Sequence, residues 1–302
     1  MVYAAHFAAA LIACYLTAQV LMRSRWTWRI PGVAIVCWQA IGLAFGLSTI
    51  GLLLSLGLAP YGGMSTGAAA RRFVVDLASG DLPAGLSLQH LTLAGIGFGV
   101  AAILLGATVH RLVTVLLAQR RHRELLALVA RDDPAVPGAL VLDHTVAAAY
   151  CLPGWQPRVV VSAGALTLLD RSELAAVLSH ERAHAEERHD LVLLPFSALR
   201  RALPFLKWVR AAHDTVALLV EMRADDKARR LHDDGPLRAA LLRFAETPVR
   251  VSPTGTLGIA DGDLDARMQR LLEKGRPPRV RGAVALAVAA ALVYLPISLY
   301  LG

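Results

Sequence analysis

The chain has 302 residues, of which 56% are hydrophobic and only 18% charged, and its formal net charge is +8 at pH 7. One soluble core would not bury this much apolar surface, so the composition excludes a wholly soluble protein and indicates a membrane protein with a soluble part. The basic residues flank apolar segments and accompany no nucleic-acid-binding motif. We therefore expect contact with membrane lipid and no direct contact with nucleic acid.

Four segments are long enough to cross a bilayer, which takes roughly 20 apolar residues. They are residues 2–22, 32–59, 91–109 and 283–302. The first could be a cleaved signal peptide, but its arginines follow the apolar run instead of preceding it, which favours a retained anchor. Arginine-rich flanks at 23–29, 111–123 and 276–281 predict cytoplasmic loops by the positive-inside rule, with both chain termini outside.

The sequence thus predicts a multi-pass protein of the plasma membrane in three parts. Residues 1–118 form a three-helix transmembrane region with an external loop at 60–90. Residues 119–282 form a cytoplasmic domain, and residues 283–302 form the fourth transmembrane helix. The expected fold class is an α+β membrane protein, because short β-like runs at 140–142, 146–152 and 158–162 precede helical segments in the middle part.

Asp170 is predicted to cap a helix, with Glu173 three residues later as its capping-box partner, and this helix should run to about His189. The next stretch, 191–209, fits either two buried helices or an amphipathic hairpin on the membrane surface. A further helix is expected at 211–231, and a mobile loop at 246–263. The run Val159 to Ser162 is expected to be either an edge strand that an extended substrate joins or an ordinary interior strand.

The predicted capped helix carries the sequence His180-Glu181-Arg182-Ala183-His184. Helical residues four apart share a face, so His180 and His184 can hold one zinc ion. Glu181 projects beside them, where it can act as general base on a water molecule and not as a ligand. The alternative is a solvated, charged helix end, but the motif follows an apolar helical run, which favours the metal.

A catalytic zinc site needs a third protein ligand. Glu187 lies roughly 10 Å along the helix from His180, too far to converge with both histidines. Asp190 could be the third ligand only if the chain turned back after His184. That turn would need a glycine at position 187, which is a glutamate here. Glu221 is preferred, with Asp225 one turn later to accept the free ring N–H of a zinc-bound histidine. The alternative for Glu221 and Asp225 is a surface salt bridge to the arginines at 229 and 230.

These residues resemble the membrane-embedded gluzincin metallopeptidases, through His180-Glu181-x-x-His184 followed by Glu221-x-x-Ala224-Asp225. The layout of spans around a zinc domain is most similar to the BlaR/MecR antirepressor family. The HtpX-type quality-control peptidases share the zinc motif and a histidine or aspartate five residues after the second zinc histidine, here His189.

The resemblance implies one Zn²⁺ per chain, bound by His180, His184 and Glu221, with Glu181 catalytic and Asp225 in support. His213 is a further candidate for binding substrate or stabilising the oxyanion. The sequence ends at Gly302, directly after the fourth apolar segment, so the C-terminal penicillin-binding sensor domain of that family, and direct sensing of a β-lactam through it, are not expected.

The implied function is a zinc-dependent endopeptidase that cleaves a protein at the cytoplasmic membrane face. Its expected role is regulated proteolysis of a transcriptional repressor similar to BlaI, which would be its protein partner. Two alternatives remain open: a housekeeping protease for damaged membrane proteins, and a membrane adaptor without catalytic activity.

Overall fold

The computed structural model describes residues 2–134, 136–154, 157–246, 257–258, 264–273 and 278–301. The helices are α1 (Val2–Arg23), α2 (Trp26–Arg29), α3 (Pro31–Gly57), α4 (Thr66–Ser79), α5 (Leu88–Val129), α6 (Ala163–Leu168), α7 (Arg171–Glu186), α8 (His189–Ala202), α9 (Lys207–Leu231), α10 (Asp234–Glu246), α11 (Leu264–Leu272) and α12 (Arg279–Leu301). The strands are β1 (Ala130–Asp132), β2 (Ala139–Leu142), β3 (Ala149–Leu152), β4 (Arg158–Ser162) and β5 (Leu257–Gly258).

These elements form two compact units. The first comprises Met1–Ala107 and Pro277–Gly302, and the second comprises Thr108–Arg276. The three-part division at 118/119 and 282/283 stays a prediction, because it rests on membrane topology, which the fold does not test.

Four helices, α1, α3, α5 and α12, are long and apolar enough to cross a membrane. They overlap the four predicted segments, with α3 ending at Gly57 and not at the predicted residue 59. The prediction of four apolar helices is therefore confirmed, while the orientation of the termini stays a prediction. Helix α5 has 42 residues. It is therefore about 63 Å long, twice the thickness of the hydrocarbon core. It runs well past the predicted span at 91–109 and includes the charged stretch that follows.

Glycines let the apolar helices of the first unit approach closely. A Cβ on Gly57 would lie 2.4 Å from the backbone nitrogen of Ala94, and one on Gly51 would lie 2.4 Å from the ring of Phe7. No side chain larger than hydrogen fits at these two contacts. Helices in lipid associate through such close packing of small residues. The hydrophobic effect contributes little there, because lipid tails are as apolar as the side chains that the contact buries.

The predicted external loop at 60–90 contains a helix, α4. The Ser65 hydroxyl accepts a hydrogen bond from the backbone N–H of Ala68 at its start, and Gly80 ends it in the left-handed region at φ 82°. Phe73 on this helix packs edge-on against Tyr61 and stacks on Phe98. Aromatic packing thus gives this segment a small core of its own.

The second unit contains a five-stranded sheet with the order β1-β2-β4-β3-β5 among the described strands. Strands β2 and β4 are parallel and the other pairs are antiparallel. The three strands predicted from β-branched and turn residues are present as β2, β3 and β4, although β3 begins at Ala149 and not at the predicted residue 146. Strand β4 pairs on both sides, so the expectation that Val159 to Ser162 form an edge for a substrate strand is wrong. The alternative, an interior strand, is correct.

Helix α7 packs on this sheet and begins as predicted. Asp170 accepts hydrogen bonds from the backbone N–H groups of Ser172 and Glu173, and the Glu173 carboxylate accepts one from the backbone of Asp170. The helix ends at Glu186, earlier than the predicted His189. Arg188 has φ 50°, which a continuing α-helix cannot accommodate, and α8 starts directly after it.

The core of the second unit lies between the sheet and helices α7, α10 and α11. It includes the buried side chains of Val141, Val161, Val177, Leu237 and Phe244. The stretch 191–209 contains most of α8 and the first turn of α9, so the expectation of two separate buried helices within it is wrong. Its location on a membrane surface stays a prediction. Helix α9 begins four residues before the predicted 211 and packs against α8. Most of the predicted loop at 246–263 lies outside the described residues.

The capping box predicts a matched pair of stability effects. Asp170→Ala should lower the melting temperature of detergent-purified protein by a few degrees, because the two N–H groups lose their acceptor. Asp170→Asn should leave it nearly unchanged, since asparagine caps equally well. Equal melting temperatures for all three proteins, measured by differential scanning fluorimetry, would show that the cap contributes nothing.

Candidate metal centre

Successive turns of α7 place His180 and His184 side by side. Their Nε2 atoms are 3.1 Å apart, and both side chains are completely buried. The i, i+4 spacing puts them on one helical face, as the sequence predicts. Two imidazole nitrogens this close, on two buried side chains, suit a shared cation.

Helix α9 supplies the third group. The two Glu221 carboxylate oxygens lie 3.3 Å from His180 Nε2 and 3.4 Å from His184 Nε2. One ligand atom from each of the three residues falls within 4.8 Å of the other two. Two histidines and one glutamate are a usual donor set for catalytic zinc, so these residues fit the expected ion.

Asp225, one turn beyond Glu221, lies behind the first histidine. Its Oδ1 is 3.0 Å from His180 Nδ1, the ring nitrogen that faces away from the metal ligands. Burial opposes a charge on His180, but the contacts with Asp225 and Glu221 outweigh it and raise the pKa of His180 to about 9. A carboxylate in this position fixes the ring tautomer so that Nε2 can ligate.

A different set of residues lies behind the second histidine. His189 Nδ1 is 2.9 Å from His184 Nδ1, and His189 Nε2 is 3.4 Å from Glu187 Oε2. Arg223 on α9 clamps Glu187 with hydrogen bonds of 2.8 to 3.1 Å. Burial lowers the pKa of His189 to about 4, although the negative charge of Glu187 acts in the opposite direction. A neutral His189 can accept the Nδ1–H of His184, which then presents Nε2 to the metal.

Arg267 on α11 completes the centre, and the sequence analysis missed it. Its guanidinium donates to both oxygens of Asp225, at 2.6 and 2.9 Å, and lies 3.1 Å from Glu221 Oε2. It is 1% exposed. Burial opposes ionisation of Asp225, but the charge on Arg267 and the contact with His180 lower its pKa well below the usual value. Arg267 therefore connects Glu221, the predicted ligand, with Asp225, the residue predicted to support His180.

Glu181 is buried beside the ligands and not among them. Neither of its carboxylate oxygens has a hydrogen bond of normal geometry within the described part of the chain. Burial raises the pKa of Glu181 to about 8, with the charge on His180 opposing the shift and that on Glu221 adding to it. A carboxyl group whose pKa is near neutrality can both take and return a proton at physiological pH.

The charges of the centre do not balance within the chain. Glu181, Glu221 and Asp225 can carry three negative charges, and the guanidinium of Arg267 supplies one positive charge beside them. Buried charge that is left uncompensated is costly. The deficit corresponds to one divalent cation. The neighbouring carboxylates raise the pKa of His180 and burial raises that of Glu181, and both shifts favour a proton where positive charge is lacking.

The remaining predicted candidates lie elsewhere. His213 contacts Ser197, Arg200 and Asp214, and it precedes Glu221 by about 12 Å along α9. Asp190 lies 3.6 Å from Arg188. Neither joins the ligand cluster.

The surface salt bridge considered for Glu221 and Asp225 is wrong. Both residues are buried, and Arg229 pairs with Asp234 instead.

Comparison with protein families gives one match. Residues 116–230 match the model described as Peptidase family M48. The matched stretch contains α7 and all but the last residue of α9, and therefore both histidines, Glu181, Glu221 and Asp225, but it ends before Arg267. Comparisons with curated proteins and with solved structures give no match. The match supports a metallopeptidase that uses zinc, and the apolar helices support its association with a membrane.

The charge balance predicts how the centre responds to loss of the guanidinium. Arg267→Met should lower the free energy of unfolding of chelator-treated protein by about 3–5 kcal/mol, because Asp225 and Glu221 lose their buried counter-charge. Zinc-supplemented protein should lose less, since the cation restores part of that charge. Thermal unfolding with and without zinc measures both, and Arg267→Lys is the charge-retaining control. Equal losses in the two conditions would contradict the charge balance.

Proposed function

We propose that this chain is a membrane-bound zinc endopeptidase that cleaves a protein substrate at the cytoplasmic face. The observation that carries the proposal is the buried cluster of His180, His184 and Glu221 with Glu181 beside it. The family match supports the peptidase class, and the four apolar helices support the membrane location.

The side chains of the cluster have separate roles in peptide hydrolysis. His180, His184 and Glu221 would hold the zinc ion, which when bound would polarise a peptide carbonyl and acidify water. Asp225 and His189 orient the two imidazole rings from behind. The Glu181 carboxylate takes a proton from the attacking water and gives it to the nitrogen of the departing amine. Arg267 holds Glu221 and Asp225 in register through its two contacts.

For the biological role we propose regulated proteolysis of a transcriptional repressor similar to BlaI. Support comes from the order of elements along the sequence, in which a zinc-binding segment lies between the third and fourth apolar helices, as in the BlaR/MecR family. The catalytic chemistry would be the same in a housekeeping protease, so the two roles differ only in how many proteins are cleaved.

Glu181→Gln should reduce cleavage by about a hundredfold or more, because glutamine cannot carry the proton, while zinc remains bound. The matched control is Glu186→Gln, an exposed glutamate on the same helix. Mapping of new protein N-termini in cells that express each variant measures cleavage whatever the substrate is. Termini that appear with wild type and Glu186→Gln but not with Glu181→Gln support the peptidase.

The number of substrates then separates the roles. Termini confined to one DNA-binding protein fit regulated proteolysis, and termini spread over many membrane proteins fit the housekeeping role. Identical N-termini in cells with wild type and Glu181→Gln would overturn the peptidase proposal itself.

A further inference from the structure

The turn that joins α8 and α9 exposes two aromatic side chains. Phe205 is 73% exposed and Trp208 is 39% exposed. Within Thr108–Arg276, they are the two exposed aromatic side chains among the described residues. We name residues 200–210 the hairpin tip. An aromatic side chain that is 73% exposed contributes little to the core of its own unit.

The hairpin tip is an ordered turn. The backbone N–H of Leu203 donates to the carbonyl of Leu199 at 2.8 Å, and that of Leu206 donates to Leu203 at 3.2 Å. The Arg210 guanidinium donates to the carbonyl of Pro204 at 3.2 Å. Because these hydrogen bonds fix the backbone of the turn, the exposure of Phe205 follows from the ordered conformation of the hairpin.

Basic residues surround the exposed aromatics. Arg200, Arg201, Lys207 and Arg210 are all exposed. The acidic residue of the segment 200–214 is Asp214, which pairs with Arg200 at 3.2 Å. The segment therefore has a net charge of +3, with its cations on both sides of Phe205. Aromatic side chains flanked by arginine and lysine are suited to the interface of a bilayer that contains anionic lipid.

We propose that the hairpin tip inserts Phe205 and Trp208 into the headgroup region of an anionic bilayer surface. The chain carries four helices able to cross a bilayer, so such a surface is close to every copy. The rings bury apolar area at the interface, and Arg201 and Lys207 pair with lipid phosphates. Trp208 and Glu221 are 13 residues apart on α9. An inserted tip thus holds the metal centre within about 20 Å of the membrane surface along that helix.

The test places a nitroxide spin label at the tip of the full-length protein. Phe205→Cys is labelled and the protein is reconstituted into vesicles that contain phosphatidylglycerol and phosphatidylcholine. The matched control is Leu231→Cys at the other end of α9, where the native side chain is also 73% exposed. The native cysteines Cys14, Cys37 and Cys151 are buried, and the unsubstituted protein measures their background labelling.

Accessibility to oxygen, which concentrates in lipid, is compared with accessibility to a water-soluble nickel chelate. We expect the label at position 205 to be reached mainly by oxygen and the label at position 231 mainly by nickel. Equal preference for nickel at both positions would overturn the proposal. A label at position 205 that is shielded from both reagents would also overturn it, because that pattern indicates a protein partner or a second copy.

The role of charge is tested in the same assay. Replacing Arg201 and Lys207 together by glutamate should reduce the oxygen preference at position 205 several-fold, and so should vesicles of phosphatidylcholine alone. Retention of the full preference in both cases would contradict recognition of anionic lipid. Because these residues lie outside the metal centre, zinc content should be unchanged, which separates failure of this proposal from failure of the proposed function.

Discussion

The candidate metal centre has too little positive charge for the number of carboxylates buried in it. Glu181, Glu221 and Asp225 are buried around two histidines, and Arg267 supplies one compensating charge. Such a cluster is unfavourable unless two more positive charges enter it. A divalent cation meets that need in one step, and protons on His180 and Glu181 meet it otherwise. The same constraint explains why an arginine from α11 is drawn into the interior.

His180 and His184 are supported in different ways. His180 has a carboxylate directly behind it, whereas His184 has a neutral imidazole, His189, with the Glu187–Arg223 pair beyond. The early end of α7 makes the second arrangement possible, because the left-handed Arg188 turns the chain and returns His189 towards the ring of His184. Both arrangements bring α9 against α7, so the contacts that orient the ligands also hold the two helices together.

The sequence predicted the pairs of site residues that lie close together on a single helix. Residues four apart on one helix must share a face, so His180 with His184 and Glu221 with Asp225 were found from the chain alone. Arg267 lies 42 residues beyond Asp225, and no short motif records that contact. A usable signal was present: Arg267 and Arg270 lie on the buried face of a short amphipathic helix, beside Leu271. The interior position of β4 was not predictable, because strand order depends on contacts between distant segments.

Metal content of detergent-purified protein tests the account most directly. Wild type should hold about one zinc per chain, and Glu221→Ala should lose it, because two histidines alone bind zinc weakly. Asp190→Asn, which alters the rival acidic residue, should keep the full amount. Zinc retained in Glu221→Ala but lost in Asp190→Asn would mean that the third ligand is misassigned. A wild-type protein without zinc after supplementation would contradict the metal centre itself.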